Sequence, residues 1–166
     1  PLTDEEIFRI HNSALQVLEE IGLADAPESG VKAMTSVGAI LGEDGRIRFP
    51  RELVEKTLSY AARDFTLHSR SNINSLLLEK NRVHYGTAGA AVHVVDLETN
   101  DYRDSTVSDL FAAAKLSDHL DNIHFLQRPM ICRDITDNFE MDLNTVFACC
   151  AGTSKHVGVS FTEASY

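Results

Sequence analysis

The last third of the chain alternates helix with strand, and that alternation limits its fold more than any other feature. After Ser105, Thr106 and Asp109 mark a helix N-terminus, and Leu110, Phe111 and Ala114 give that helix a face to bury. IHFLQRP at 123–129 then reads as a strand ended by Pro129. A helix follows from Asn138 to Ala151, with Met141, Val146, Phe147 and Cys150 toward a core, and KHVGVSF at 155–161 is a second, mostly apolar strand. Two strands joined through a helix make a βαβ unit, with parallel strands and a right-handed crossover. Such a sheet cannot cover both of its faces with two strands. The sequence therefore reads as incomplete as a folding unit, with a further helix expected where it stops at Tyr166.

The first third has a helical period instead. Thr3 and Glu6 form a capping box, and Ile7, Ile10, Ala14, Leu18 and Ile21 recur at helical spacing up to Gly22. A shorter helix is expected from Pro27, with Asp25 as the candidate cap and Val31, Met34 and Val37 buried before Gly38. Glu43-Asp44-Gly45 is a turn, and Pro50 opens a third helix striped by Leu53, Val54, Thr57, Leu58 and Ala61. Between Phe65 and Asp104 the period falls to two. SLLLE and RVHYG, divided by Lys80 and Asn81, are expected to form a hairpin, and AVHVVDL with DYRD a second one around the ETN insert. The junction of the two architectures falls near Asp104 to Thr106, giving residues 1–104 as helices and hairpins and 105–166 as βα units.

Charge and composition exclude several functions. With 43% hydrophobic and 24% charged residues, the chain can form an ordinary core rather than remain disordered. Its 25 acidic against 15 basic side chains give a formal charge of −10, which repels nucleic acid and anionic lipid alike. Apolar runs such as VFACCAG at 146–152 fall far short of the roughly 20 residues that cross a bilayer, and the first residues carry acids where a signal peptide carries Lys and Arg. The expectation is a cytoplasmic protein with neither nucleic acid nor membrane as partner. Cys132, Cys149 and Cys150 are an odd number without C-x-x-C spacing, so no disulfide framework is expected.

Motifs for a resident cofactor are absent. Gly86-Thr87-Ala88-Gly89-Ala90-Ala91 lacks the order of a phosphate loop, so its glycines are expected to permit a tight path or a close neighbour. His84, His93 and Asp96 have ligand types, yet His93 and Asp96 sit three apart on a strand and point to opposite faces, so no metal site is expected. His119 and His124 read as surface residues, Lys155 and His156 as stabilising residues at the N-terminal strand edge, and no nucleophile or acid/base pair stands out. Ligands of α/β folds bind at the C-terminal edge of the strands, which here holds Gln127, Arg128, Ser160 and Phe161. Arg128 has the geometry to clamp a carboxylate, and Gln127 to orient a small polar substrate.

LTDEEIFRIHNSALQVLEEIGL, GRIRFPRELVEKTL, RVHYGTAGAAVHVVDLETNDYRDSTVSDLFAAAKLSDHLDNIHFLQRP and TSKHVGVSF together resemble the trimethylamine methyltransferase family, in register over nearly the whole chain. The resemblance implies an α/β protein, the N-terminal portion of a (β/α)8 TIM-type barrel with extra N-terminal helices and a β-hairpin element. It implies transfer of a methyl group from a tertiary or quaternary amine, of the trimethylamine or glycine betaine type, to the cobalt of a corrinoid. That corrinoid (cobalamin) is carried by a partner protein that docks over the barrel mouth, so no tightly bound cofactor is expected. The resemblance sets the pyrrolysine of the trimethylamine enzymes in the later half of the family's barrel, a position these residues do not reach, so the branch stays open; GTAGAA and Gln127 depart from the family's usual phrases. Tyr85, Phe125 and Phe161 are candidates for an aromatic hold on the cation, beside Gln127 and Arg128. Exposed sheet edges favour a homo-oligomer. A truncated, non-enzymatic fragment or partner-binding module is the alternative.

Overall fold

The capping box read from Thr3 and Glu6 is formed: the Glu6 N–H donates to Thr3 Oγ1 at 3.3 Å, and the Glu6 carboxylate accepts from the Thr3 N–H at 2.7 Å. The computed structural model describes residues 2–163. The chain divides into two compact units, Pro1–Ala62 and Arg63–Tyr166.

In the first unit α1 (Asp4–Gln16) continues into a π-helical turn, Val17–Ile21, which Gly22 ends at φ +69°. Leu23 then exchanges backbone hydrogen bonds with Ile47, at 2.9 and 2.8 Å. Helix α2 (Glu28–Ser36) starts after Pro27 without a side-chain cap. Asp25 is not that cap: its φ of +57° turns the chain before the helix begins. Strands β1 (Ile40–Leu41) and β2 (Ile47–Arg48) pair across the expected Asp44-Gly45 turn, and α3 (Arg51–Ser59) follows Pro50. Arg46 and Arg48 donate to the carbonyls of Ile21, Gly22 and Glu20, satisfying the open end of the first helix. Ile47 is fully buried, and Leu18, Met34, Phe49, Leu53 and Val54 line an apolar cleft of about 330 Å³. Val37 stays exposed on the way out of α2.

The second unit opens with two hairpins. Strands β3 (Phe65–Leu67) and β4 (Leu76–Leu78) pair antiparallel, as do β5 (His93–Val95) and β6 (Tyr102–Asp104). The β5–β6 hairpin is the expected one. The first corrects the sequence reading: SLLLE pairs with the earlier FTL, not with RVHYG, whose nearest tie to β4 is His84 Nε2 against the Leu77 carbonyl at 3.0 Å. Apolar alternation identifies a strand but not its partner.

Helix α4 (Val107–His119), β7 (Phe125–Gln127), α5 (Asn138–Gly152) and β8 (His156–Gly158) form the βαβ pattern, and β7 and β8 are parallel. Thr106 and Asp109 form the second capping box. Leu110 and Ala114 of α4, Leu126 of β7, Ala148 and Cys149 of α5 and Cys132 make the core. Gly152 lets the helices meet, since a Cβ there would lie 2.5 Å from Ala114 Cβ. The buried stripe of α5 is Asp142, Thr145, Ala148, Cys149 and Gly152, not the expected one through Phe147, which is 69% exposed. On α4, Phe111 is likewise at the surface. The architecture is mixed helix and strand, with a parallel pair covered by two helices on one face.

Candidate functional site

The segment 85–91 runs beside β7 as a third, irregular parallel strand. The His124 N–H donates to the Tyr85 carbonyl at 2.7 Å, Gly86 bridges Phe125, the Ala91 N–H donates to the Pro129 carbonyl at 2.9 Å, and the Ile131 N–H donates to the Ala91 carbonyl at 2.9 Å. The Thr87 hydroxyl also donates to the Gln127 carbonyl. The glycines allow this approach: a Cβ on Gly86 would lie 2.3 Å from the Phe125 ring, and one on Gly89 would lie 2.7 Å from the Arg128 carbonyl oxygen. The close-neighbour reading of GTAGAA therefore holds.

Gln127 ends β7 opposite Gly158, and its Oε1 lies over the Gly158 Cα, 2.3 Å from where a Cβ would stand. Its side chain is otherwise exposed, at the C-terminal edge between Gly89 and Gly158. Arg128 continues the ladder, its N–H donating to the Gly158 carbonyl at 2.9 Å. Strand alternation gives Arg128 the face of Leu126, Met130 and Cys132, all of them in or against the helix-covered core. Gln127 and Phe125 share the other face. Asp134 and Asp137 do not pair with Arg128, because they accept from the Val107 and Glu140 N–H groups at the helix starts. Among the described residues the Arg128 guanidinium has no ion-pair partner.

Phe161 lies past the end of β8 at the same edge as Gln127 and is 54% exposed. Tyr85 and Phe125 sit at the opposite, N-terminal end of β7. Tyr85 is 64% exposed and stacks on His124 with ring centroids 6.2 Å apart, while His124 Nδ1 accepts from the Tyr85 N–H at 2.8 Å. His124 is thus a clamp on segment 84–86 and not a free surface residue. The structure therefore brings Gln127 and Phe161 to one edge, sets Tyr85 and Phe125 at the other, and gives Arg128 the helix face.

Asp142 and Thr162 are functional candidates that the sequence pattern alone does not single out. Asp142 is 2% exposed, and its Oδ2 and Oδ1 accept from the Thr162 N–H at 2.6 Å and hydroxyl at 3.1 Å. A carboxylate inside the stripe 142, 145, 149, 152 was the signal available. Burial pushes the Cys149 thiol up to about 11 and raises that of Cys132, with Arg128 opposing both shifts, so neither is a ready nucleophile. Lys155 is only 7% exposed and donates to the carbonyls of Ser117, Leu120 and Ile123 at 2.6–2.8 Å, a structural tie at the N-terminal edge as expected. His93 is held by Asp104 at 3.4 Å and Asp96 by Arg103 at 3.0 Å. Among the described residues no group of three or more His, Cys, Asp or Glu is placed to hold a metal.

These features define an α/β protein whose parallel strands present a small polar and aromatic edge at their C-terminal ends. The model of the trimethylamine methyltransferase family matches residues 1–166, and the chain belongs to that family. It is 28% identical over 156 residues to a trimethylamine methyltransferase MttB of Desulfitobacterium hafniense, covering 93% of this chain and 31% of that protein. With the trimethylamine methyltransferase MttB of Methanosarcina thermophila it shares 27% identity over 158 residues, 93% of this chain and 33% of the relative. A glycine betaine methyltransferase of Desulfitobacterium hafniense is 28% identical over 123 residues, 74% of this chain and 25% of that protein. The chain thus spans between a quarter and a third of the length of these curated relatives. No helix among the described residues is long and apolar enough to cross a membrane.

Proposed function

We propose that the chain supplies the first βα units of a (β/α)8 barrel that takes a methyl group from a trimethylamine- or glycine betaine-type amine and delivers it to the cobalt of a corrinoid on a partner protein. The observation that carries this reading is the family match along all 166 residues. The parallel β7–β8 pair, with Gln127 and Phe161 at its C-terminal edge, is compatible with a site at a barrel mouth. The corrinoid is here the methyl acceptor, a second substrate brought by another protein.

For a quaternary amine the C–N bond breaks with its electron pair staying on nitrogen, and the methyl carbon takes a bond from the electron pair of the cobalt(I) acceptor. The enzyme's share of the work is to hold the cation in line and keep water away. An aromatic face such as Phe161 attracts the methylated cation without forming a bond that must later break. The position of the Gln127 amide across Gly158, at the C-terminal strand edge, supports a role in orienting a polar group on the amine.

The test uses the full-length gene product with trimethylamine or glycine betaine and a cobalt(I) corrinoid protein. Methyl-cobalt formation is followed by absorbance, and the demethylated amine by NMR. One of the two amines is expected to lose a methyl group. Transfer from neither, with an intact folded protein, overturns the reading in favour of a partner-binding module.

A further inference from the structure

We infer that Asp142 is a positioning residue for the C-terminal edge: it fixes the chain leaving β8 and so holds Phe161 where a methylated cation can lie against its ring. The inference rests on the function proposed above. Asp142 stands in the second turn of α5, in line with the buried Thr145, Cys149 and Gly152. An apolar side chain would fill that place without the cost of desolvating a carboxylate. What the carboxylate adds is a two-pronged grip, one oxygen on the Thr162 N–H and the other on the Thr162 hydroxyl, reaching over 20 residues.

That grip falls one residue beyond Phe161. Phe161 is therefore an exposed ring on an anchored backbone. Anchoring matters for this chemistry because a cation is held by a ring only within about 6 Å of its centroid. A loop that must first be ordered loses part of the binding energy to that ordering. A latch serving stability alone would give the same bonds, so the readouts must separate the two roles.

The experiment uses the full-length protein with D142N, T162V, T162S, F161A and the D142N/F161A pair, measuring KM and kcat for the accepted methylated amine and hydrogen exchange of the segment 159–163. D142N keeps the shape but turns an amide donor toward one of the two Thr162 donors. The expected result is a KM about tenfold higher with kcat changed less than about twofold, faster exchange in the segment, and near-normal behaviour for T162S. F161A should raise KM similarly, and the pair should be no worse than F161A alone, because Asp142 acts through that ring. An unchanged KM in D142N despite faster exchange, or fully additive effects in the pair, overturns the inference and leaves the methyltransferase reading standing. Should D142N fail to fold, T162V removes one of the two bonds and carries the same readouts. Absence of methyl transfer in the wild type overturns the functional reading and this inference with it.

Discussion

Two glycines with a close neighbour respond to an added methyl group to very different degrees. At Gly22 a Cβ would stand 2.2 Å from the Ile47 carbonyl oxygen, and φ is +69°, so both the backbone and a fixed neighbour object. Gly22→Ala is expected to cost about 3 kcal/mol, read as a lower urea midpoint at unchanged m-value. At Gly158 the obstacle is the Gln127 Oε1, the free end of a flexible side chain, 2.3 Å from the added carbon. Gly158→Ala should cost less than about 1 kcal/mol but displace the amide, which moves the Gln127 side-chain NH2 resonances. If it unfolds the protein instead, the Gln127 side chain is more constrained than its exposure implies. Lys155 makes the same point about partners. Its three carbonyl acceptors close the end of α4 and the turn before β7, so Lys155→Met should lose about 3 kcal/mol. A loss under about 1 kcal/mol in the same denaturation would show that water replaces the ammonium there.

Between elements, ties made by charged side chains set what pH can undo. Arg103 on β6 donates two bonds to Asp109 at 2.7 and 2.8 Å and one to Asp96 at 3.0 Å, fastening the β5–β6 hairpin to the start of α4. The Arg103 guanidinium, helped by N–H and hydroxyl donors, holds both carboxyls below the usual range. A carboxyl lowered on folding stabilises above its unfolded value of about 3.9 and loses that contribution as pH falls through the folded value. The Tm gap between wild type and Arg103→Met should therefore be constant from about pH 7 to 5 and narrow below about pH 4. A gap that narrows already near pH 6 would show that the Asp96 and Asp109 carboxyls are not what Arg103 acts through. Such elements differ in how far the sequence announces them. Thr3–Glu6 and Thr106–Asp109 are legible because a capping box is local, three residues from end to end. The partner of β4 was not, because Phe65 and Val83 flank it with equal claims and only the packing chooses. The face of α5 was misread for a related reason: Phe147 is large and apolar, yet the tight meeting with α4 at Gly152 favours Ala148 and Cys149.

At the scale of the whole molecule, the match along the chain identifies the family, and under the function proposed above the choice between trimethylamine and glycine betaine would depend on which face each edge residue occupies. Glycine betaine differs from trimethylamine in carrying a carboxylate, and a carboxylate calls for a cation in the same space as the amide and the aromatic ring. Arg128 follows Gln127 in sequence and so read as its companion, but a strand sends neighbours to opposite faces. The odd positions Phe125 and Gln127 look away from α4 and α5, whereas Leu126, Met130 and Cys132 pack toward them and Arg128 shares their side. In the full-length protein, under the proposed function, Gln127→Ala should then raise KM for the amine that is demethylated by about fivefold, the effect of one hydrogen bond to a substrate. Arg128→Ala should leave kcat/KM for the demethylated amine within about twofold, and act instead on stability through the helix-covered face. If glycine betaine is that amine, a tenfold rise in its KM in Arg128→Ala would mean that the guanidinium reaches around the strand end to the carboxylate, and the carboxylate-clamp role would pass to Arg128.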